Sequence, residues 1–395
     1  MEIVTRLWRR LSRWEYFGLA LLVVATLAMH FSIINQPQDD MTDEVYYVND
    51  ARAILSGDGA LRPEHPPLGQ LLIAASIALF GDNAFGWRFF SVIFGAGVIA
   101  FFYLVCGRLG MSRRASLLAT SLLALENLAF VQASIAMLDV FSVAFMMAAF
   151  WLYLRKSYPL SGAAICLATL CKLTGGLALP IIALHWLVKR REWPIYFSLS
   201  MLLAPLLFFA TMPLFDAIIT GSPVDPIGRT RDILTVSASI TFAGGAHPFY
   251  SRPWEWILRP VVMPYYWDPQ YVAAISFTVG ALIIPAVVYM ALLAKKGSQA
   301  GLFGVLWFAS TYLIWIPLSL ITDRTSYIYY FYPTIGAICI GLGCGLSSLI
   351  DWGRLQESGR RRRLASIAVW TYLALHGLLL ILLTPLFSVW VSLQM

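Results

Sequence analysis

Long runs of apolar residues, broken by short polar stretches, dominate this chain. Runs near 16–34, 84–107, 113–131, 138–154, 159–174, 175–188, 194–212, 271–294, 300–321, 326–350 and 364–390 predict helices. A helix needs about 20 apolar residues to cross ~30 Å of hydrocarbon, so the pattern predicts about eleven crossings. A twelfth apolar run, Leu68 to Phe80, is shorter, and Pro66-Pro67 fix its start. It is expected to lie at the membrane surface. The polar stretches include two long loops, 35–83 and 213–270, and no internal repeat is visible.

Composition narrows the class. Hydrophobic residues make up 59% of the chain and charged residues 12%, about half the charged share of a soluble domain. The expectation is one all-α polytopic membrane domain over 1–395. The net charge of +7 resides in clusters between apolar runs, which is a topology signal and no sign of a nucleic-acid partner. Eleven crossings from an inner N-terminus place 19 of the 28 basic residues on the inner side, with five of the 21 acids. Counting Leu68–Phe80 as a span would scatter those clusters. Both long loops then lie outside. Residues 14–34 read as a first anchor, with no small-residue cleavage site. The five cysteines all fall in apolar runs, so neither a disulfide framework nor a zinc pattern is suggested.

The outer loops hold the candidate chemistry. Asp43-Glu44 follows the first span, where a carboxylate could act as general base. Glu64 and His65 precede the paired prolines, His65 as a substrate donor or a helix cap. Asp139 opens a span and suits a cap or a cavity acid. Glu126, deeper in its run, is expected to bond between helices. Lys172 and Arg324 sit at outer span ends, placed to hold an anionic headgroup or to snorkel. The stretch Gly244 to Trp267 mixes His247, Arg252 and Trp254 with further aromatics, which suits either an interfacial loop or a sugar.

Together these motifs resemble the protein O-mannosyltransferase family and its relatives of the C-type membrane glycosyltransferase fold. The resemblance rests on Asp43-Glu44, His65-Pro66-Pro67-Leu68-Gly69, and Trp87-Arg88-Phe89-Phe90-Ser91. It continues through Val131-Gln132 to Met137-Leu138-Asp139, Lys172-Leu173-Thr174-Gly175, His247-Pro248 with Trp254-Glu255-Trp256, and Arg324 with Tyr329-Tyr330-Phe331-Tyr332-Pro333. Three positions depart from the family pattern: Ser134 stands where an Arg is usual, Glu126 where Asp is frequent, and Ile257 where a proline follows the tryptophan motif. The domain that many eukaryotic members insert in the second long loop has no room in 213–270.

The resemblance implies transfer of one sugar, foremost mannose, from a polyprenyl-phosphate carrier to a Ser or Thr hydroxyl of an exported protein, with inversion. It casts Asp43, Glu44 and Asp139 as the catalytic carboxylates, with Asp43 the base. Lys172, Arg324 and Arg88 would steady the phosphate. Glu64, His65, His247, Trp254 and Tyr330 complete the substrate-binding set. Three alternatives stay open: another sugar passed to a lipid or cell-wall glycan, a transporter or non-catalytic lipid-binding protein, and a divalent metal at Glu64 and His247. No cofactor is otherwise expected. The expected partners are the lipid-linked donor, a protein or glycan acceptor, and membrane lipids, with a dimer left open. The expected location is an integral membrane protein, in the plasma membrane of a prokaryote, with its active site outside.

Overall fold

The structure is a computed structural model that describes residues 16–60, 62, 64–189, 193–244 and 249–392. Helices form at all eleven predicted apolar segments. Helix α1 is Phe17–Ile33, and two helices of the first loop follow, α2 (Glu44–Ser56) and α3 (Pro67–Phe80). Next come α4 (Ala84–Arg108), α5 (Arg113–Ala124), α6 (Asn127–Ser134), α7 (Leu138–Leu154) and α8 (Tyr158–Cys171). A 3₁₀ turn at Leu173–Leu177, which contains Gly175-Gly176, joins α8 to α9 (Ala178–Lys189). The second loop carries α11 (Pro226–Ser239) and α12 (Glu255–Leu258), after the long α10 (Pro194–Thr220). The remainder is α13 (Phe277–Gly280), α14 (Ile283–Lys295), α15 (Gln299–Phe308), α16 (Trp315–Thr322), α17 (Tyr332–Leu355), α18 (Gly359–Leu383) and α19 (Leu386–Ser392).

Length separates these helices. Among the described residues, five helical stretches are long and apolar enough to cross a membrane: Ala84–Arg108, Pro194–Thr220, Gln299–Thr322, Ile328–Leu355 and Gly359–Leu383. The pair α5–α6, bent by 59°, makes a sixth if counted as one span. The other predicted crossings are apolar helices of 10–17 residues, so the number of full-length spans falls short of eleven. One segment is corrected. Residues 271–294 do not start as helix: β2 (Tyr271–Ala274) pairs antiparallel with β1 (Val262–Tyr266), and helix begins only at Phe277. The tyrosines and valines there favour a pleated strand.

The break between α5 and α6 shows what Glu126 does. An interrupted helix away from water must satisfy its freed backbone groups from elsewhere. Glu126 caps α6 by accepting from the Ala129 N–H at 2.8 Å, and its other oxygen accepts from the Ser276 N–H at 2.7 Å. Asn127 Oδ1 accepts from the Ala274 N–H at 2.8 Å. The second-loop hairpin is thereby fastened to the helix break.

The core lies between α4, α7, α15 and α17, where rings interlock. Phe150 meets Trp307 edge-on at 4.9 Å and Phe303 at 5.1 Å, and the Trp307 indole donates to the Pro333 carbonyl at 2.7 Å. Between apolar helices in lipid, such close packing supplies cohesion that water exclusion cannot. One close approach builds the site. A Cβ at Gly69 would fall 2.8 Å from Leu138 Cδ2 and 3.0 Å from the Cys171 carbonyl. Only glycine lets the start of α3 sit against the start of α7 and the end of α8. That contact brings His65, Asp139 and Lys172 into one neighbourhood.

Candidate active site

A cavity of about 230 Å³ opens between the first loop, the Lys172 turn and the segment 324–330, with Asp43, His65, Lys172, Trp315, Arg324 and Tyr330 in its wall. Three parts of the chain far apart in sequence therefore contribute to it. Asp43 stands immediately before α2, partly exposed, and Tyr329 donates its hydroxyl to Asp43 Oδ2 at 3.0 Å.

Its neighbour Glu44 points elsewhere. Successive helical residues project about 100° apart, so when Asp43 faces the cavity Glu44 faces the core. Glu44 is fully buried, and its two oxygens accept from Arg88 Nε at 2.9 Å and Nη2 at 2.7 Å. Oε1 also accepts from the Ala136 N–H at 2.8 Å. Arg88, also fully buried, gives its remaining donors to the carbonyls of Ile34 (3.0 Å), Pro37 (2.7 Å) and Asp39 (3.0 Å). Every guanidinium N–H is thus occupied. This corrects two expectations: Arg88 has no donor left for a phosphate, and Glu44 does not border the cavity. The pair instead ties the chain ahead of Asp43 to α4 and to the turn before α7.

Asp139 lies behind the cavity wall, with 3% exposure, and accepts from Lys172 Nζ at 2.7 Å. The Lys172 ammonium sits 5.4 Å from the Tyr329 ring centre and 5.6 Å from that of Tyr330, within cation–π range. A chain of contacts therefore links Asp43 to Tyr329, Tyr329 to Lys172 and Lys172 to Asp139. The two aspartates meet at one site, Asp139 through its lysine.

His65 is set in a positive surrounding. Its Nε2 lies 3.2 Å from the Tyr47 hydroxyl. Burial, then the charges of Lys172, Arg324, Arg229 and Arg62, lower its pKa to about 3, so the ring is neutral near pH 7. Burial and the nearby Asp43 carboxylate push the Tyr47 phenol well up. Arg229 of α11 donates to the His65 carbonyl at 3.0 Å and pairs with Asp216 at 3.6 Å, which fixes this loop to the second one. Glu64 also borders the cavity, with Arg62 4.0 Å away.

Arg324 follows Asp323, whose left-handed backbone (φ 50°) ends α16. Its Nη1 is buried without a hydrogen-bond partner, as is the Trp315 indole Nε1 in the same wall. Trp315 stacks on Tyr330 at 4.7 Å. Unsatisfied buried donors are rare in folded proteins, and two in one cavity mark a place for an acceptor-rich ligand.

Other expected residues take other places. Trp254 stays outside this wall, 5.9 Å from the Arg252 guanidinium, because its stretch is spent on anchoring. Trp256 donates to Ser251 Oγ at 2.9 Å, Ser326 Oγ donates to the Ser251 carbonyl at 2.7 Å, and Arg252 bonds Asp323 at 2.7 Å. His247 lies outside the described residues. Ser134 does not reach the cavity: it is buried, donates to the Phe130 carbonyl at 2.8 Å and lies 2.8 Å from His30 Nδ1. Among the described residues, no three His, Cys, Asp or Glu side chains gather as metal ligands. Sequence reasoning missed Trp315, Tyr329, Tyr47 and Arg62. Tyr329 stood in a motif already noted, whereas nothing around Trp315 set it apart from other aromatics in apolar runs.

Comparison with known proteins bears on the fold and the family likeness. Residues 20–203 match the model of a family described as dolichyl-phosphate-mannose-protein mannosyltransferase. A polyprenol-phosphate-mannose–protein mannosyltransferase of Mycobacterium tuberculosis is 32% identical over 148 residues, 36% of this chain and 28% of the relative. The matched segment thus spans little more than a quarter of that relative. A protein of the same name from Corynebacterium glutamicum is 23% identical over 96% of this chain and 91% of its own length. The Saccharomyces cerevisiae Pmt1–Pmt2 complex bound to its sugar donor superposes with a TM-score of 0.75 at 12% identity, covering 93% of this chain and 89% of that one. ArnT of Cupriavidus metallidurans bound to undecaprenyl phosphate gives 0.55 at 18% identity, covering 93% and 76%. The fold is that of the C-type membrane glycosyltransferases, and the chain resembles the protein O-mannosyltransferases.

Proposed function

We propose that this membrane protein transfers a sugar, mannose foremost, from a polyprenyl-phosphate carrier to a hydroxyl of an exported protein. The observation that carries the reading is the pair of unpartnered donors, Arg324 Nη1 and Trp315 Nε1, in the cavity that Asp43 and Lys172 share. Cations and N–H donors beside a carboxylate suit an anionic leaving group on one side and an attacking hydroxyl on the other.

In this reading the acceptor oxygen attacks the anomeric carbon from the face opposite the carrier phosphate. The new carbon–oxygen bond forms as the bond to phosphate breaks, and the phosphate leaves with that electron pair. Inversion follows from the opposed faces. Asp43 takes the hydroxyl proton, and Tyr329 orients the receiving carboxylate. Arg324, Lys172 and the Trp315 indole hold the phosphate, whose charge they balance as it departs. Asp139 holds Lys172 in position. His65, neutral, bonds a sugar hydroxyl or the acceptor, and the ring of Tyr330 offers a face to the sugar. Glu44 and Arg88 act at one remove, by fixing the approach to Asp43.

The cavity would open on the outer side of a cell membrane, with the basic helix ends inside. Purified protein supplied with polyprenyl-phosphate mannose and a Ser/Thr-rich peptide tests the assignment. Wild type should mannosylate the peptide, and Asp43→Asn should lower turnover by about 10²–10⁴-fold. Turnover of the variant within tenfold of wild type would rule out the base. Label arriving in lipid or glycan, but not in peptide, would overturn the acceptor.

A further inference from the structure

A second polar cavity, about 530 Å³, lies among the far ends of α4, α5 and α7. Its wall includes Arg108, Arg113, Arg155, Ser116, Tyr103 and Trp151. Helix α7 starts with Asp139 at the first site and reaches Arg155 sixteen residues later, a rise of about 24 Å. The cavities are thus separated by nearly the ~30 Å thickness of a hydrocarbon core. When one faces the interface on one side, the other faces the opposite interface.

The chemistry of the wall is one-sided. Three arginines come from the end of α4, the start of α5 and the end of α7. Among the described residues, no acid lines this cavity, and neither Arg108 nor Arg155 pairs with one. Ser116 is 1% exposed, and its hydroxyl has no hydrogen-bond partner. The Arg155 guanidinium lies over the Trp151 ring at 4.6 Å. Tyr103 and Trp151 are the residue types that settle at headgroup depth, and Leu104 and Met111 add apolar wall.

We infer that this cavity binds the phosphate headgroup of an anionic glycerophospholipid in the leaflet opposite the transfer site. Forked guanidinium donors match phosphate oxygens, and basic pockets between helix ends favour anionic lipid heads. A zwitterionic head would bring an ammonium group to a wall that, among the described residues, offers it no carboxylate. A soluble phosphate would leave the aromatic and apolar wall unused. The occupant is a lipid.

Native mass spectrometry of the full chain, delipidated and reloaded with phosphatidylglycerol, phosphatidylethanolamine or inorganic phosphate, tests the site. Wild type should retain one phosphatidylglycerol more than Arg108→Gln/Arg155→Gln, with at least tenfold lower occupancy in the variant. Phosphatidylethanolamine should not substitute, and millimolar inorganic phosphate should not displace the lipid. Ser116→Ala, a change too small to disturb folding, should weaken retention severalfold. Equal retention by wild type and both variants would overturn the proposal, as would equal retention of the two lipids. Displacement by inorganic phosphate would make it a soluble-anion site and overturn the lipid assignment. The readout is independent of sugar transfer, so it stands whether or not the proposed function does.

Discussion

The hydroxyl of Tyr329 reaches Asp43 Oδ2 across 3.0 Å, although the two residues are 286 positions apart in the chain. The bond joins the first loop to the segment that carries Arg324, so the proposed base and the proposed phosphate-binding donors are held by the same contact. Replacing Tyr329 by Phe keeps the ring beside Lys172 and removes only this bond. Turnover should fall about tenfold, the rate equivalent of ~1.4 kcal/mol, while the KM for the lipid donor changes less than threefold. Steady-state kinetics with a labelled donor separates the two.

Arg324 and Trp315 should behave as ligands rather than as supports. Arg324→Gln should raise the donor KM by about tenfold or more, the effect expected of a lost charge-assisted bond of ~1.5–3 kcal/mol. It should also weaken inhibition by free polyprenyl phosphate in parallel. Trp315→Phe should do the same to a smaller extent, whereas Trp254→Phe, outside the wall, should leave the donor KM unchanged. Thermal stability should stay near wild type in all three.

The Glu44–Arg88 pair should show the opposite pattern. Lysine cannot replace five guanidinium donors with three, and a broken buried pair costs about 3–5 kcal/mol. Arg88→Lys and Glu44→Gln should both lower the unfolding temperature in detergent, Arg88→Lys more. The fraction that remains folded should keep its donor KM. A raised KM with unchanged stability would return Arg88 to the phosphate.

His65 predicts a pH dependence of stability. Its folded pKa, about 3, lies below the ordinary histidine value of 6.5. The unfolded chain therefore binds more protons between those values, and stability falls as the pH drops from about 6.5 toward 3. Above that window the residue has no effect. In His65→Asn the decline should be shallower, as measured by thermal unfolding at pH 7, 5 and 4.

Local chemistry explains why so much of the helical frame was readable. Partition of an apolar run into lipid, and the need to close every backbone bond within it, depend on residues adjacent in sequence. Proline pairs and the acidic loop are equally local. The same logic failed at 271–274, where pairing with a strand outweighed an apolar run.

The apolar helices, the two long loops, the motifs and the grouping of acids in those loops could be read from the chain alone, because each follows from composition along a short stretch. Tertiary structure decided which of two adjacent acids faces the cavity and gave Arg88 to Glu44 and Lys172 to Asp139. It also put Trp315 into the wall instead of Trp254. Those outcomes turn on how helices rotate against one another, and rotation is fixed by packing between residues hundreds of positions apart. Neighbours in sequence carry no record of it.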